Sequence, residues 1–276
     1  MRRQAHITLV NDIETSALDI ADRGVAYGDG VFETMRVVAG KIPLLKWHLD
    51  RFSEGVSKLE LGSPQTLKRD FKSSVNQALK RFSGDALVKV IVTRGSGGVG
   101  YLPPKQTRCS FVVQVFDLPD VSPSYVEGGV SVTLCDYRLA HQPRLAGIKH
   151  LNRLDQVLAA RELNGQQEGL LFDQQGVLVE GLKSNVLVFK ADQILTPSLE
   201  LCGVRGTLRQ YLIDKANLDI EEAKMDASEL MEADGIALIN SVFGIWPVAK
   251  IDGQAFESHQ KCETIRQLLN AQLGFK

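Results

Sequence analysis

The chain has no long apolar run: its hydrophobic stretches are strand-sized, which excludes a transmembrane helix. It has no charge imbalance either, with 32 Lys+Arg against 33 Asp+Glu and a net charge of −1. That balance favours neither nucleic acid nor an anionic membrane as a partner. Cysteine is scarce, and Cys109, Cys135, Cys202 and Cys262 show no Cys-x-x-Cys spacing and sit among apolar neighbours. Reduced, inert thiols and a cytoplasmic protein are the expectation. His6, His141 and His259 lack metal-ligand spacing, so no metal is implied. The start, Met1-Arg-Arg-Gln-Ala-His6, is basic, but no apolar signal segment follows it. There is no internal repeat and no low-complexity segment. What is present, 276 residues with 44% hydrophobic and 24% charged, describes a globular chain with a large core in one big domain or two small ones.

Periodicity divides the chain. Strand character over His6 to Val10 and Val31 to Val38 gives way to a helical stripe, Leu45, Leu49, Phe52, Val56 and Leu59, closed by Gly62. Leu67, Phe71, Val75, Ala78 and Phe82 form a second stripe, and Ala86–Thr93 and Cys109–Phe116 read as buried strands. Between Leu118 and Gly129, proline, serine and glycine concentrate and no period survives, which marks a linker. Beyond it the pattern predicts strands at 130–135, 169–172, 185–189 and 235–240, and helices at 152–163, 207–216 and 258–273. The expected class is α+β, with a small N-terminal α/β domain over residues 1–117, a linker at 118–128 and a C-terminal cofactor-binding domain over 129–276.

The most telling stretch is Leu145-Ala-Gly-Ile-Lys-His-Leu-Asn-Arg-Leu-Asp-Gln-Val-Leu158, with Lys149 in an apolar run where an amphipathic helix is expected to begin. A lysine in apolar surroundings loses hydration of its ammonium, so the neutral nucleophilic amine becomes accessible. That suits capture of a carbonyl cofactor such as pyridoxal 5'-phosphate (PLP). Read alone, Lys149 is better explained by a side chain that snorkels from a strand end.

The segment Ile148-Lys149-His150-Leu151-Asn152-Arg153-Leu154 resembles the lysine motif of fold-type IV PLP enzymes, in the version found in 4-amino-4-deoxychorismate lyases. Further motifs match in the same order. They are Asp22-Arg23-Gly24 with Tyr27-Gly-Asp-Gly-Val-Phe-Glu-Thr34, His48-Leu-Asp-Arg-Phe52, Thr93-Arg-Gly-Ser-Gly-Gly98, Glu180 with Ser184-Asn185-Val186, Cys202-Gly-Val-Arg-Gly206, and Asn240-Ser241 leading to Pro247-Val248. The resemblance implies a small α/β domain, a larger β-barrel-like domain with helices, an active site between them and a homodimer. It implies Lys149 as cofactor lysine and proton shuttle, and Glu180 as partner of the pyridine nitrogen. Arg51 becomes the phosphate clamp, suited to a dianion by its fork geometry. Gly206, Thr207 and Leu208 at a helix start, with Ser241, complete the phosphate cup.

Gly95-Ser-Gly97-Gly-Val-Gly100 satisfies the G-x-G-x-x-G pattern, but Tyr101-Leu-Pro-Pro104 follows where a dinucleotide fingerprint needs a helix. Nicotinamide binding is therefore rejected, and the loop resembles the glycine-rich loop that these enzymes place over the substrate. D-amino-acid transaminases of this fold carry an arginine and a histidine on that loop, and this loop has neither after Arg94. Some of the lyases carry an arginine where Val99 stands, so carboxylate recognition falls to Arg94 or Arg153, or to Arg138 or Arg144. Thr34 is expected to point inward after Phe32, near the reacting ring, and Asn240 to touch substrate; both are equally read as strand residues. The resemblance implies a lyase that makes 4-aminobenzoate and pyruvate from 4-amino-4-deoxychorismate, for folate synthesis. The alternative on the same scaffold is a D-amino-acid or branched-chain aminotransferase.

Overall fold

The structure is a computed structural model describing residues 4–215 and 218–275. The basic start Met1-Arg-Arg and the end of the expected 207–216 helix, Ala216, lie outside the described residues. The chain forms two compact units, one running up to Pro119 and taking back Ile148–Asn152, the other comprising Asp120–Gly147 and the remainder from Arg153.

In the smaller unit the elements are β1 (Ile7–Val10), β2 (Ile13–Glu14), α1 (Arg23–Tyr27), β3 (Gly30–Val37), α2 (Leu45–Lys58), α3 (Pro64–Leu79), β4 (Ala86–Thr93) and β5 (Ser110–Asp117). The five strands form an antiparallel sheet in the order β2-β1-β5-β4-β3. Strand period two sends Val31, Met35 and Val37 of β3 and Val88, Val90 and Val92 of β4 into the core beneath α2 and α3. Helix α2 buries His48, Leu49, Phe52 and Val56, and Phe52 meets Phe71 of α3 at 4.8 Å between ring centroids. Gly55 lets α2 lie close on the sheet, because a Cβ there would meet Val31 Cγ1 at 2.8 Å. Ser63 caps α3, with Pro64 in the first turn.

The larger unit contains α4 (Pro123–Glu127), β6 (Val130–Leu139), α5 (Leu154–Ala159), β7 (Glu168–Asp173), β8 (Leu178–Gly181), β9 (Asn185–Lys190), β10 (Gln193–Pro197), α6 (Thr207–Lys215), β11 (Ile220–Ala223), α7 (Ala227–Met231), β12 (Gly235–Asn240), β13 (Gly244–Ile251), β14 (Gln254–Ala255) and α8 (Gln260–Leu273). The strand path runs β11-β10-β9-β12-β13-β6-β7-β8, with β14 on β13. Strand β8, at one end of that path, packs against β9 and β10, so the sheet curls towards closure. Its core is Val-, Leu- and Ile-rich, with Trp246 stacked on Phe243 at 3.7 Å.

Two expectations need correction. The 118–128 segment is not featureless: Ser122 and Pro123 start α4, whose Tyr125 packs edge-on against Trp246. The helix expected from Asn152 starts at Leu154, because the residues before it are held extended by pairing with β3. No helix of the described residues is long and apolar enough to cross a membrane. The four cysteines are free, and burial pushes Cys109 and Cys135 up to about 11 and Cys202 and Cys262 up to about 12, leaving protonated thiols.

Candidate active site

In the smaller unit, Lys149 sits on an extended segment along the free edge of β3. Phe32 N–H donates to Lys149 O at 2.9 Å, Leu151 N–H donates to Gly30 O at 3.0 Å, and His150 bridges Val31. Ile148, fully buried, anchors the segment beside the half-buried lysine. Lys149 Nζ lies 4.5 Å from the centroid of the Phe32 ring. Phe32, Thr34 and Arg36 form the half-buried face of β3, opposite the face that packs on the helices. Thr34 thus shares the Phe32 and Lys149 side of β3, the face opposite the hydrophobic core.

The core face of β3 carries Glu33, 1% exposed, and it decides where Arg51 goes. Arg51 Nε donates to Glu33 Oε1 at 2.8 Å and Nη2 to Oε2 at 2.5 Å, while His48 Nδ1 lies 2.6 Å from Oε2. Burial pushes the Glu33 carboxyl up, but Arg51 and His48 outweigh it and bring it down to about 2. Burial lowers His48, helped by the positive Arg51 and Lys149, so the neutral imidazole donates its Nδ1–H to Glu33. One edge of the Arg51 guanidinium is therefore locked in a fixed orientation by a carboxylate. Sequence reading missed Glu33 and His48, although period two between Val31 and Met35 and the α2 stripe place both on buried faces.

Arg94 is the clearest departure. It is 7% exposed, with Nε and Nη2 on Asp29 at 2.7 and 3.1 Å, Nη1 on Glu60 O at 2.9 Å and Nη2 on Leu59 O at 2.6 Å. Its donors are spent tying β4 to the end of α2, so it is a fastener and not a substrate ligand.

In the larger unit, Glu180 is 4% exposed on β8, and its Oε2 accepts the Val204 N–H at 2.8 Å while Gln156 Nε2 reaches Oε1 at 3.4 Å. Val204 belongs to the 202–206 turn that feeds α6. Asn185 Nδ2 donates to Val204 O at 3.0 Å, and a Cβ on Gly206 would lie 1.8 Å from Asn185 Oδ1, so only glycine fits there. Gln210 N–H to Gly206 O closes the first turn of α6, leaving the amides of Thr207 and Leu208 at an N-terminus that attracts anions. Leu208 is fully buried, so its side chain is not presented to a ligand. Asn240 is consumed locally: Nδ2 donates to Lys183 O at 3.0 Å and Oδ1 accepts from Val242 and Phe243. This replaces its expected substrate contact with a turn-forming role that places Ser241 near the 181–184 turn. Arg153 forms the half-buried N-cap of α5.

The model of class IV aminotransferases matches residues 30–251, which takes in Lys149, Glu180, the 202–208 turn and Ser241. The chain belongs to the class IV aminotransferase family. It is 29% identical to an aminodeoxychorismate lyase of Vibrio harveyi, over 88% of this chain and 90% of that one. It is also 29% identical to a putative branched-chain-amino-acid aminotransferase of Methanocaldococcus jannaschii, over 93% and 90%. The crystal structure of 4-amino-4-deoxychorismate lyase from Pseudomonas aeruginosa superposes with a TM-score of 0.89 at 36% identity, covering 98% of this chain and 100% of that one.

Two further residues of this class IV chain escaped the sequence reading. Lys89 pairs with Thr34 across β3 and β4, and its Nζ lies 5.7 Å from the Phe32 centroid, so it is a second cation on the Lys149 face. Glu168, 1% exposed at the start of β7, accepts from Ser184 Oγ and Gly169 N at 3.3 Å each, with Lys183 Nζ 4.0 Å away. Burial pushes its carboxyl up to about 7 despite Lys183. The unfolded chain ionises this group near 4.5. Stability therefore falls as pH rises from there to about 7 and is flat above. Glu168→Gln keeps an acceptor for the Gly169 N–H and turns the other hydrogen bond round, its amide donating to Ser184 Oγ, without charge. It is expected to stabilise the fold by up to about 3 kcal/mol at pH 8 and negligibly near pH 4.5. Calorimetric scans at the two pH values check this; a variant less stable at pH 8 contradicts it.

Proposed function

We propose that this protein is a PLP-dependent lyase that converts 4-amino-4-deoxychorismate into 4-aminobenzoate and pyruvate. The residues present fit the cofactor. Lys149 would hold its aldehyde, and Glu180, a buried carboxylate oriented by the Val204 amide, its protonated ring nitrogen. Arg51, the amides of Gly206, Thr207 and Leu208, the Thr207 hydroxyl and Ser241 would take the phosphate. The glycine-only position at 206, where backbone crowds Asn185, supports that cup. When bound, the cofactor supplies an electron sink for charge developing at the amine-bearing ring carbon.

The chain's own part is proton handling and recognition. Lys149 Nζ would remove the proton from that ring carbon, while aromatisation and loss of the enolpyruvyl ether supply the driving force. Lys89, on the Lys149 face, and Arg153 are candidate cations for substrate carboxylate, since Arg94 is spent on Asp29. The observation that carries the lyase reading over an aminotransferase is the 36% identity to the Pseudomonas lyase across 98% of the chain, together with a glycine-rich loop that carries no cation. We further infer a cytoplasmic homodimer. Leu154, Val157 and Leu158 of α5 are 73, 52 and 40% exposed, an apolar face suited to a second copy.

Purified protein supplied with PLP and 4-amino-4-deoxychorismate is expected to release 4-aminobenzoate and pyruvate in a 1:1 ratio. Light scattering should give twice the 30.4 kDa chain mass. Amino-group transfer from an amino acid to a 2-oxo acid, with no 4-aminobenzoate, would move the assignment to an aminotransferase.

A further inference from the structure

The loop between β4 and β5 is built around one buried guanidinium. Arg23, 4% exposed, sends Nη1 to the carbonyls of Gly100 at 2.9 Å and Gly97 at 3.4 Å, Nη2 to that of Tyr101 at 3.0 Å, and Nε to Asp29 at 3.0 Å. Asp29 is gripped from its other side by Arg94, so the guanidinium is fixed. The peptide bonds are trans, and a trans peptide points its C=O and its N–H in opposite directions. Carbonyls drawn onto Arg23 therefore turn the amides of Gly98, Tyr101 and Leu102 away from it. Leu102 N–H is taken by Val99 O at 3.0 Å, and Val99 N–H by Leu102 O at 3.1 Å. The amides of Gly98 and Tyr101 find no acceptor among the described residues.

Positive φ at Gly97, Gly98 and Gly100 (117°, 86° and 55°) is what lets the chain fold round the cation and present amides outward. The loop is solvent-facing, with Tyr101 87% and Val99 83% exposed. No side chain from Gly95 to Leu102 is charged. An anion approaching it meets outward-turned peptide N–H groups with a fixed cation behind them.

We infer that the glycine-rich loop carries a carboxylate-binding site formed by the Gly98 and Tyr101 amides, with Arg23 as the residue that positions them. Naming its occupant as one carboxylate of the diacid substrate rests on the lyase reading; the site itself does not.

Amide NMR of the ¹⁵N-labelled full chain, titrated with malonate, tests the site without turnover. Gly98 and Tyr101 are expected to shift together and saturably, and to stop doing so in Arg23→Gln. Lysine keeps the charge, but its three donors sit on one nitrogen and cannot reproduce the fork that serves three carbonyls and Asp29 together, so Arg23→Lys is expected to behave as Arg23→Gln does. Val99→Glu, at an exposed tip that leaves the fold untouched, should weaken malonate by charge repulsion. Amides unmoved by malonate would overturn the site, and wild-type shifts in Arg23→Lys would overturn the positioning role. In turnover, Arg23→Gln should raise KM about tenfold with kcat within about twofold, the scale of one charge-assisted hydrogen bond. A loss confined to kcat would refute recognition by this loop. Saturable shifts in a chain that makes no 4-aminobenzoate would leave the anion site standing and remove only the lyase reading.

Discussion

Lys149→Ala is expected to lower turnover by at least about a thousandfold, the largest effect of any single change in this chain. A positioned proton carrier alone contributes on the order of 10²–10⁴, and Lys149 is assigned cofactor attachment as well. The fold should survive, because the segment 148–152 is held to β3 by backbone groups that alanine keeps, and the side chain's place over Phe32 is worth only about 1 kcal/mol. Activity is therefore separable from stability, and unchanged circular dichroism beside vanished product is the expected pair of results. Borohydride reduction before proteolysis adds a second readout. The cofactor's mass should appear on the peptide containing Lys149 in the wild-type chain and on no peptide of the variant. Full turnover by Lys149→Ala would sink the assignment of this residue.

The second large effect is on stability. Glu33→Gln leaves Arg51, whose side chain is 9% exposed, without its carboxylate in the interior of the smaller unit. Breaking a buried pair from one side costs about 3–5 kcal/mol, because the remaining charge stays desolvated without the carboxylate that compensates it. Urea unfolding at pH 7 should show that loss, and a change below about 1 kcal/mol would contradict the picture. The pH dependence has the sign opposite to that of Glu168. Glu33 ionises near 4.5 in the unfolded chain and near 2 in the folded one, so its contribution is complete above 4.5 and is lost as pH falls through 2. The Gln variant should be flatter across that acid window. Cofactor affinity should fall with it, because Arg51 loses the partner that fixes its orientation.

How far the site could be read from sequence differs by residue and for physical reasons. Lys149, Glu180 and the Gly206-Thr207-Leu208 turn belong to short contiguous motifs whose chemistry depends on local order, so they are visible in one dimension. Arg94 stands in an equally clear motif, yet its partners Asp29, Leu59 and Glu60 come from distant loops, and only folding reveals that its donors are used up. Asn240 is a similar case at shorter range, closing its own turn and reaching Lys183. Glu33 was hidden because acids are ordinarily solvated, although the alternation of Val31, Met35 and Val37 already puts position 33 on the buried face. Lys89 alternates with Val88 and Val90 and so belongs on the opposite face, but nothing local says that Lys149 lies on that face too.

By itself the sequence determined the broad class, the two helical stripes, the strand-sized buried runs and the motif order that marks the family. These follow from periodicity and from residues whose roles are set by near neighbours. Tertiary structure alone decided which strand edge receives Lys149, which carboxylate holds Arg51, and that Arg94 is a fastener. Those outcomes depend on pairing across tens of residues, and a buried charge takes its meaning from the partner the fold brings to it.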